Sequence, residues 1–284
     1  MALTELPSMR AVICGPEGSW KSSMGLTWPR PLRHFDIDIG GFRRATWCDL
    51  PQPRIDLDGI ESKSYRVEIG TEKFLSAPKG QPTVKFPKRV TGYREVWQDI
   101  IVDFVAACQD HSIKTIQLDS ATGLWDICHR GFLQEKQEIQ LAQGIKENDK
   151  KFRERLQPVE FPNDRMNQLV YTAQSYDKNL ILIHYPKDEY GLRPNKDGDM
   201  EEQKTGKLII DGFKHTEKIV DIVIWTELKE FKTNGDKEWR CEATIRTKCG
   251  VPGLGTAALG WELPTPDYQG LITLYKMING IEEE

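Results

Sequence analysis

The stretch "AVICGPEGSWKSSMGL", residues 11–26, decides how the chain is read. A short apolar run ends at Cys14 and enters a turn of Gly15, Pro16, Glu17, Gly18 and Ser19. Trp20, Lys21, Ser22 and Ser23 follow. Strand, glycine turn, then Lys-Ser opening a helix is the layout of a phosphate loop, G-x-x-x-x-G-K-[ST]. The chemistry needs that order. Successive backbone N–H groups curl around a phosphate, and the start of the helix adds partial positive charge. Lys21 reaches the terminal phosphate oxygens, and the Ser22 hydroxyl ligates Mg²⁺. The same residues also describe a Gly-Pro turn capped by serine before a helix. One position departs from the pattern, because Trp20 stands where glycine is expected. A tryptophan fits there only if its φ stays negative and its ring points away from the nucleotide. The indole then covers a nucleobase, packs on a neighbouring subunit, or holds back hydrolysis.

Outward from the loop, apolar runs of strand length recur. "RAVIC" (10–14) precedes the turn and "PLRHFDID" (31–38) ends in two carboxylates. "TIQLD" (115–119) and "NLILIH" (179–184) are short and almost wholly apolar, and "KIVDIVIWTEL" (218–228) and "CEATIRTK" (241–248) extend the series. Near-continuous apolar strands are those of a sheet covered on both faces, so a mostly parallel α/β core is expected. Between them, residues 93–111 carry Val96, Ile100, Phe104 and Ala107 on one helical stripe. Residues 124–157 read as a long polar helix or helical pair, and 165–179 as another helix. The Pro-, Gly- and charge-rich stretches 49–92 and 186–212 read as insertions or long loops. A single α/β domain over 1–284 is expected, with its core at about 9–228 and C-terminal strands and helix at 238–280.

"TIQLDSATGLW" supplies a second motif, an aspartate (Asp119) at the C-terminal end of an apolar strand. In a parallel sheet that end lies at the ligand crevice. A carboxylate there holds Mg²⁺ through water, opposite the Ser22 hydroxyl. The plainer alternative is an aspartate that caps the next helix.

Charge and composition narrow the function. The net charge is −4 and the pI about 5.9, which argues against a strongly basic nucleic-acid binder. No apolar run approaches the ~20 residues that span a bilayer. The start "MALTELPSMR" carries no secretion signal, so a cytoplasmic protein is expected. Six scattered cysteines with no C-x-x-C pair read as reduced, partly buried thiols.

Four segments, "GPEGSWKSS", "HFDIDIGG", "TIQLDSATGLW" and "NLILIHYPKDEYG", occur in the order and context of the RecA-type recombinase core. Over most of residues 9–228 the chain resembles the small RecA-like ATPases of bacteriophages, which are nucleotide-binding or single-strand-annealing recombination proteins. The resemblance implies a P-loop NTPase fold, ATP and Mg²⁺ as cofactors, single-stranded DNA as partner, and a homo-oligomer or filament in the host cytoplasm. Site residues follow at matching positions. Gly15, Pro16, Glu17, Gly18, Ser19, Trp20, Lys21, Ser22 and Ser23 would form the nucleotide loop, and Ser22 and Asp119 would hold the metal. Asp38 would orient the attacking water, with Asp36 one pleat back. His184 would sense the γ-phosphate, or else be a strand-end histidine in a polar crevice. Residues 186–207 would be the mobile loop that meets DNA.

Charge alone does not favour that loop as a DNA contact. Lys187, Arg193, Lys196, Lys204 and Lys207 are offset by six acidic residues. "KENDKKFRERL" (146–156), with Phe152 inside a basic run, is a backbone-tracking face or a solvated helix face. Two other functions use the same loop. One is a small-molecule or nucleotide kinase, which would need an arginine-bearing lid. The other is a non-hydrolysing protein in which nucleotide only orders an assembly.

Overall fold

The computed structural model describes residues 6–38, 42, 55–68, 88–147, 149–152, 160–194, 200–233 and 236–281, with only the backbone at 160, 193, 233 and 236. An eight-stranded sheet runs through them. Its strands are β1 (Arg10–Cys14), β2 (Leu32–Asp36), β3 (Ile60–Ser64), β4 (Thr115–Asp119), β5 (Asn179–Pro194), β6 (Met200–Asp211), β7 (Ile222–Thr233) and β8 (Asp236–Cys249). The order is β3-β2-β4-β5-β1-β7-β8, with β6 paired to β5. From β3 across to β7 every neighbour is parallel. Among the described strands, only β6 and β8 run antiparallel. This is the mostly parallel α/β sheet that the apolar strands predict.

Two layers cover the sheet, and strand alternation divides the side chains between them. Val12, Phe35, Ile116, Leu118, Leu180, Leu182 and Val223 face helices α2 (Tyr93–Gln109), α3 (Ala121–Ala142) and α4 (Glu160–Ser175). Ala11, Ile13, Leu32, Ile181, Ile183, Ile222 and Ile224 face the other way. There they meet Met24 of α1 (Lys21–Gly25) and Leu271, Leu274 and Tyr275 of α6 (Tyr268–Asn279). The stripe read from 93–111 is the buried one: Ile100, Phe104 and Ala107 are inside, joined by Trp97. α5 (Thr216–Ile219) is a single turn.

Three expectations change. The stretch 49–92 contains β3, an edge strand with the sequence "IESKS" that pairs in parallel with β2; residues 49–54 and 69–87 lie outside the described residues. Residues 186–207 are not a loop. β5 continues past the core to Pro194 and pairs antiparallel with β6, forming a β-hairpin arm with an irregularity between Asp188 and Tyr190. Backbone pairing between the two polar strands satisfies the N–H and C=O groups that face each other, without needing an apolar face. The side chain of Arg193 and the whole of Lys196 lie outside the described residues. Finally, Phe152 is buried, so its ring is not displayed for base stacking. Residues 153–159 also lie outside the description. Among the described residues, no helix is long and apolar enough to cross a membrane.

Candidate functional site

The glycine turn leaves β1 at the C-terminal edge of the parallel strands, where β2, β4 and β5 also end their core pairings. Two strands brace it. Ser19 Oγ donates to Pro16 O at 2.8 Å and lies 2.8 Å from Thr226 Oγ1 on β7, while Cys241 Sγ on β8 donates to Ser19 O at 3.2 Å. Gly15 has no room for a side chain, because a Cβ there would overlap Ser19 Oγ and Thr226 Oγ1. Its N–H donates to His184 O at 3.4 Å.

Trp20 corrects the expectation of a negative φ. Its backbone is left-handed, with φ 67° and ψ 11°. Gly18 is also left-handed, at φ 77°. Ser19 lies between them and is held against β7 and β8. Trp20 holds the backbone conformation for which glycine is the usual choice. Its carbonyl accepts the Met24 N–H at 2.8 Å. Its indole Nε1 is buried without a hydrogen-bond partner. The helix that follows is only five residues long. Little macrodipole can build up over so short a helix, so backbone N–H groups and Lys21 are left as the main positive elements.

Lys21 is 6% exposed. Its Nζ donates to Pro16 O at 3.1 Å and lies 4.1 Å from the centre of the Tyr185 ring. Burial pulls its pKa below the ordinary lysine range, while the negative charges of Asp119 and Asp38 push it back up. Lysine and carboxylates thus share one crevice. Next to it, Gln117 Nε2 on β4 donates to Ser22 O at 3.2 Å.

Asp119 ends β4 and is buried. His34 on β2 brings its Nε2 to 3.4 Å from Asp119 Oδ2, and its Nδ1 lies 2.8 Å from Ser62 Oγ on β3. The helix-cap alternative for Asp119 is corrected, because the capping residue of α3 is Ser120, whose Oγ accepts the Gly123 N–H at 3.0 Å. Asp36, directly opposite Asp119 in register, accepts from Ser64 Oγ at 3.0 Å. Asp38 lies two residues beyond the end of β2. Its oxygens accept from Ser120 Oγ and Tyr185 OH, each at 2.8 Å. His34, Ser62, Ser120 and Tyr185 were not picked out from the sequence. His34, Ser120 and Tyr185 lie inside the quoted segments without a role assigned to them, and only contacts between distant parts of the chain reveal what they touch.

His184 is fully buried inside a continuous strand, not at a strand end. Thr122 Oγ1 donates to Asp211 O at 2.6 Å, and His184 Nδ1 lies 3.0 Å from the same carbonyl and 3.1 Å from Thr122 Oγ1. Nδ1 therefore carries the proton. Burial pushes the pKa down to about 4, so the ring is neutral near pH 7. It packs on Phe213, and its Nε2 is buried without a partner. The next residue, Tyr185, is the one that touches both Lys21 and Asp38.

No group of three or more His, Cys, Asp or Glu side chains capable of holding a metal occurs among the described residues. That donor set does not fit an all-protein metal cage. It does fit Mg²⁺, which is usually held by one or two carboxylates, waters and substrate phosphates. The five described cysteines are unpaired and buried, and burial raises their pKa values, so they are poor nucleophiles.

Together these features define a class, an α/β fold with a mostly parallel sheet and a lysine and carboxylates gathered at its carboxyl edge. The sequence matches no protein-family model, and no curated protein matches it either. Among solved structures, the chain is similar to a KaiC-like protein of the hyperthermophilic archaeon Pyrococcus horikoshii. The identity is 11% and the TM-score 0.40, over 91% of this chain and 85% of the other. A likeness of that size says nothing about residue roles.

Proposed function

We propose that the chain is a nucleotide-binding protein with a RecA-type P-loop core formed as a single domain, and that it hydrolyses ATP. The observation that supports this most is Lys21, a buried cation of the glycine turn whose burial is partly offset by the negative charges of Asp119 and Asp38. In this reading the backbone from Gly15 to Ser23 surrounds the phosphates, and Lys21 leaves Pro16 O to reach them. Ser22 and Asp119 would hold Mg²⁺, which when bound neutralises charge on the phosphate oxygens. Asp38 would orient water.

Single-stranded DNA as partner, assembly into oligomers and a role in phage recombination rest on the sequence resemblance. Among the described residues, two lysines of the hairpin arm are paired with carboxylates. Lys187 pairs with Asp211 and Lys204 with Asp188. The test is titration of wild type and Lys21→Ala with a fluorescent ATP analogue, with and without a single-stranded oligonucleotide. Nucleotide binding by wild type and its loss in the variant are expected. Equal affinity of the two would refute the loop assignment. Identical ATP affinity with and without oligonucleotide would remove the DNA reading, because coupling between two ligands is reciprocal.

A further inference from the structure

The geometry points to Tyr185 as a positioning residue that sets the distance between Lys21 and Asp38 in the crevice. The inference rests on the proposed nucleotide site and adds to it a residue to which the resemblance gives no role. One side chain touches both charged groups. Its ring lies 4.1 Å below the Lys21 ammonium, and its hydroxyl donates to Asp38 Oδ2 at 2.8 Å. A cation over an aromatic face and a phenol bonded to a carboxylate are both attractive, so the ring acts as a spacer of fixed length.

The spacer is itself held. The Tyr185 N–H donates to Thr122 Oγ1 at 3.2 Å, and Thr122 Oγ1 donates to Asp211 O. Tyr185 is also the residue at which β5 leaves the core and begins pairing with β6, opposite Asp211. Ser120 Oγ holds the other oxygen of Asp38. The carboxylate is therefore fixed from two directions, by the cap of α3 and by the root of the hairpin arm. In this arrangement Tyr185 contributes through its ring to phosphate binding, by way of Lys21. Its hydroxyl contributes to turnover, by way of Asp38.

Two substitutions separate these contributions. Tyr185→Phe keeps the ring and drops the hydroxyl. It should leave ATP affinity within about twofold, whereas kcat falls roughly tenfold, the usual effect of losing a hydrogen bond to a charged group. Tyr185→Leu drops both, and should also weaken ATP binding roughly fivefold. Tyr185→Trp restores a ring without the hydroxyl, so it should recover affinity but not kcat. A merely structural role would not produce that split.

A second measurement needs no nucleotide. In a double-mutant cycle of Tyr185→Phe with Asp38→Asn, followed by urea unfolding, the two losses should be non-additive. Additive losses, or a Tyr185→Phe enzyme with unchanged kcat, would overturn the inference. Non-additive losses in a protein that binds no ATP would leave the spacer standing and overturn the proposed nucleotide site instead.

Discussion

Trp20 offers the sharpest test, because its backbone and its side chain act in opposite directions. Its φ of 67° lies in the left-handed region, which costs an L-residue roughly 1–2 kcal/mol. Its half-buried indole contributes in the other sense. A tryptophan buries about 150–250 Å² when fully enclosed. Half of that, at about 25 cal/mol per Å², is about 2–3 kcal/mol. The buried Nε1 without a partner takes back about 1 kcal/mol.

Trp20→Ala loses the indole and keeps the backbone strain, so it should be about 1.5 kcal/mol less stable than wild type. Trp20→Gly loses the same indole but relieves the strain. Glycine gives back about 0.4–1 kcal/mol through the entropy of its unfolded chain. The glycine variant should therefore be the more stable of the two by about 0.5–1 kcal/mol. The assay is urea unfolding of the three proteins without nucleotide, with equal m-values as the check that only stability has changed. At an ordinary negative-φ position the order reverses, with alanine ahead. That reversed order would refute the left-handed assignment and the account of how the turn accommodates a tryptophan.

Two further outcomes follow from the crevice. Asp119→Asn should spare much of the ATP affinity but strongly reduce Mg²⁺-dependent turnover, measured as phosphate release; unchanged turnover would remove Asp119 from the metal shell. For His184, burial lowers the folded pKa to about 4 from the ordinary 6.5. Above pH 6.5 the ring is neutral in both states and the shift has no effect. As pH falls from 6.5 toward 4 the unfolded chain takes up the proton first, so stability drops by up to about 1.4 kcal/mol per pH unit. Below pH 4 the loss levels off. His184→Gln should lack this component, and parallel stability curves for the two proteins between pH 4 and 6.5 would contradict it.

The sequence by itself determined the elements whose information is local. The order strand–glycine turn–Lys-Ser is written in consecutive residues, and Asp119 ends its own strand. The core strands announce themselves because a strand buried on both faces is mostly apolar. The helix at 93–109 is legible because one face of it is buried. What had to wait for the tertiary structure lacks such a local signature. β3 is an exposed edge, so "IESKS" carries no apolar run, and the polar β5–β6 arm is held by backbone pairing rather than by a hydrophobic period. The left-handed φ of Trp20 follows a turn whose Ser19 is held by Thr226 and Cys241, more than 200 residues along the chain. His184 and Tyr185 are adjacent in sequence, yet strand alternation turns one toward Thr122 and Phe213 and the other toward Lys21 and Asp38. Which of two neighbours enters the crevice depends on the register of β5 against β1 and β4, and that register is set by packing on both faces of the sheet, not by either residue.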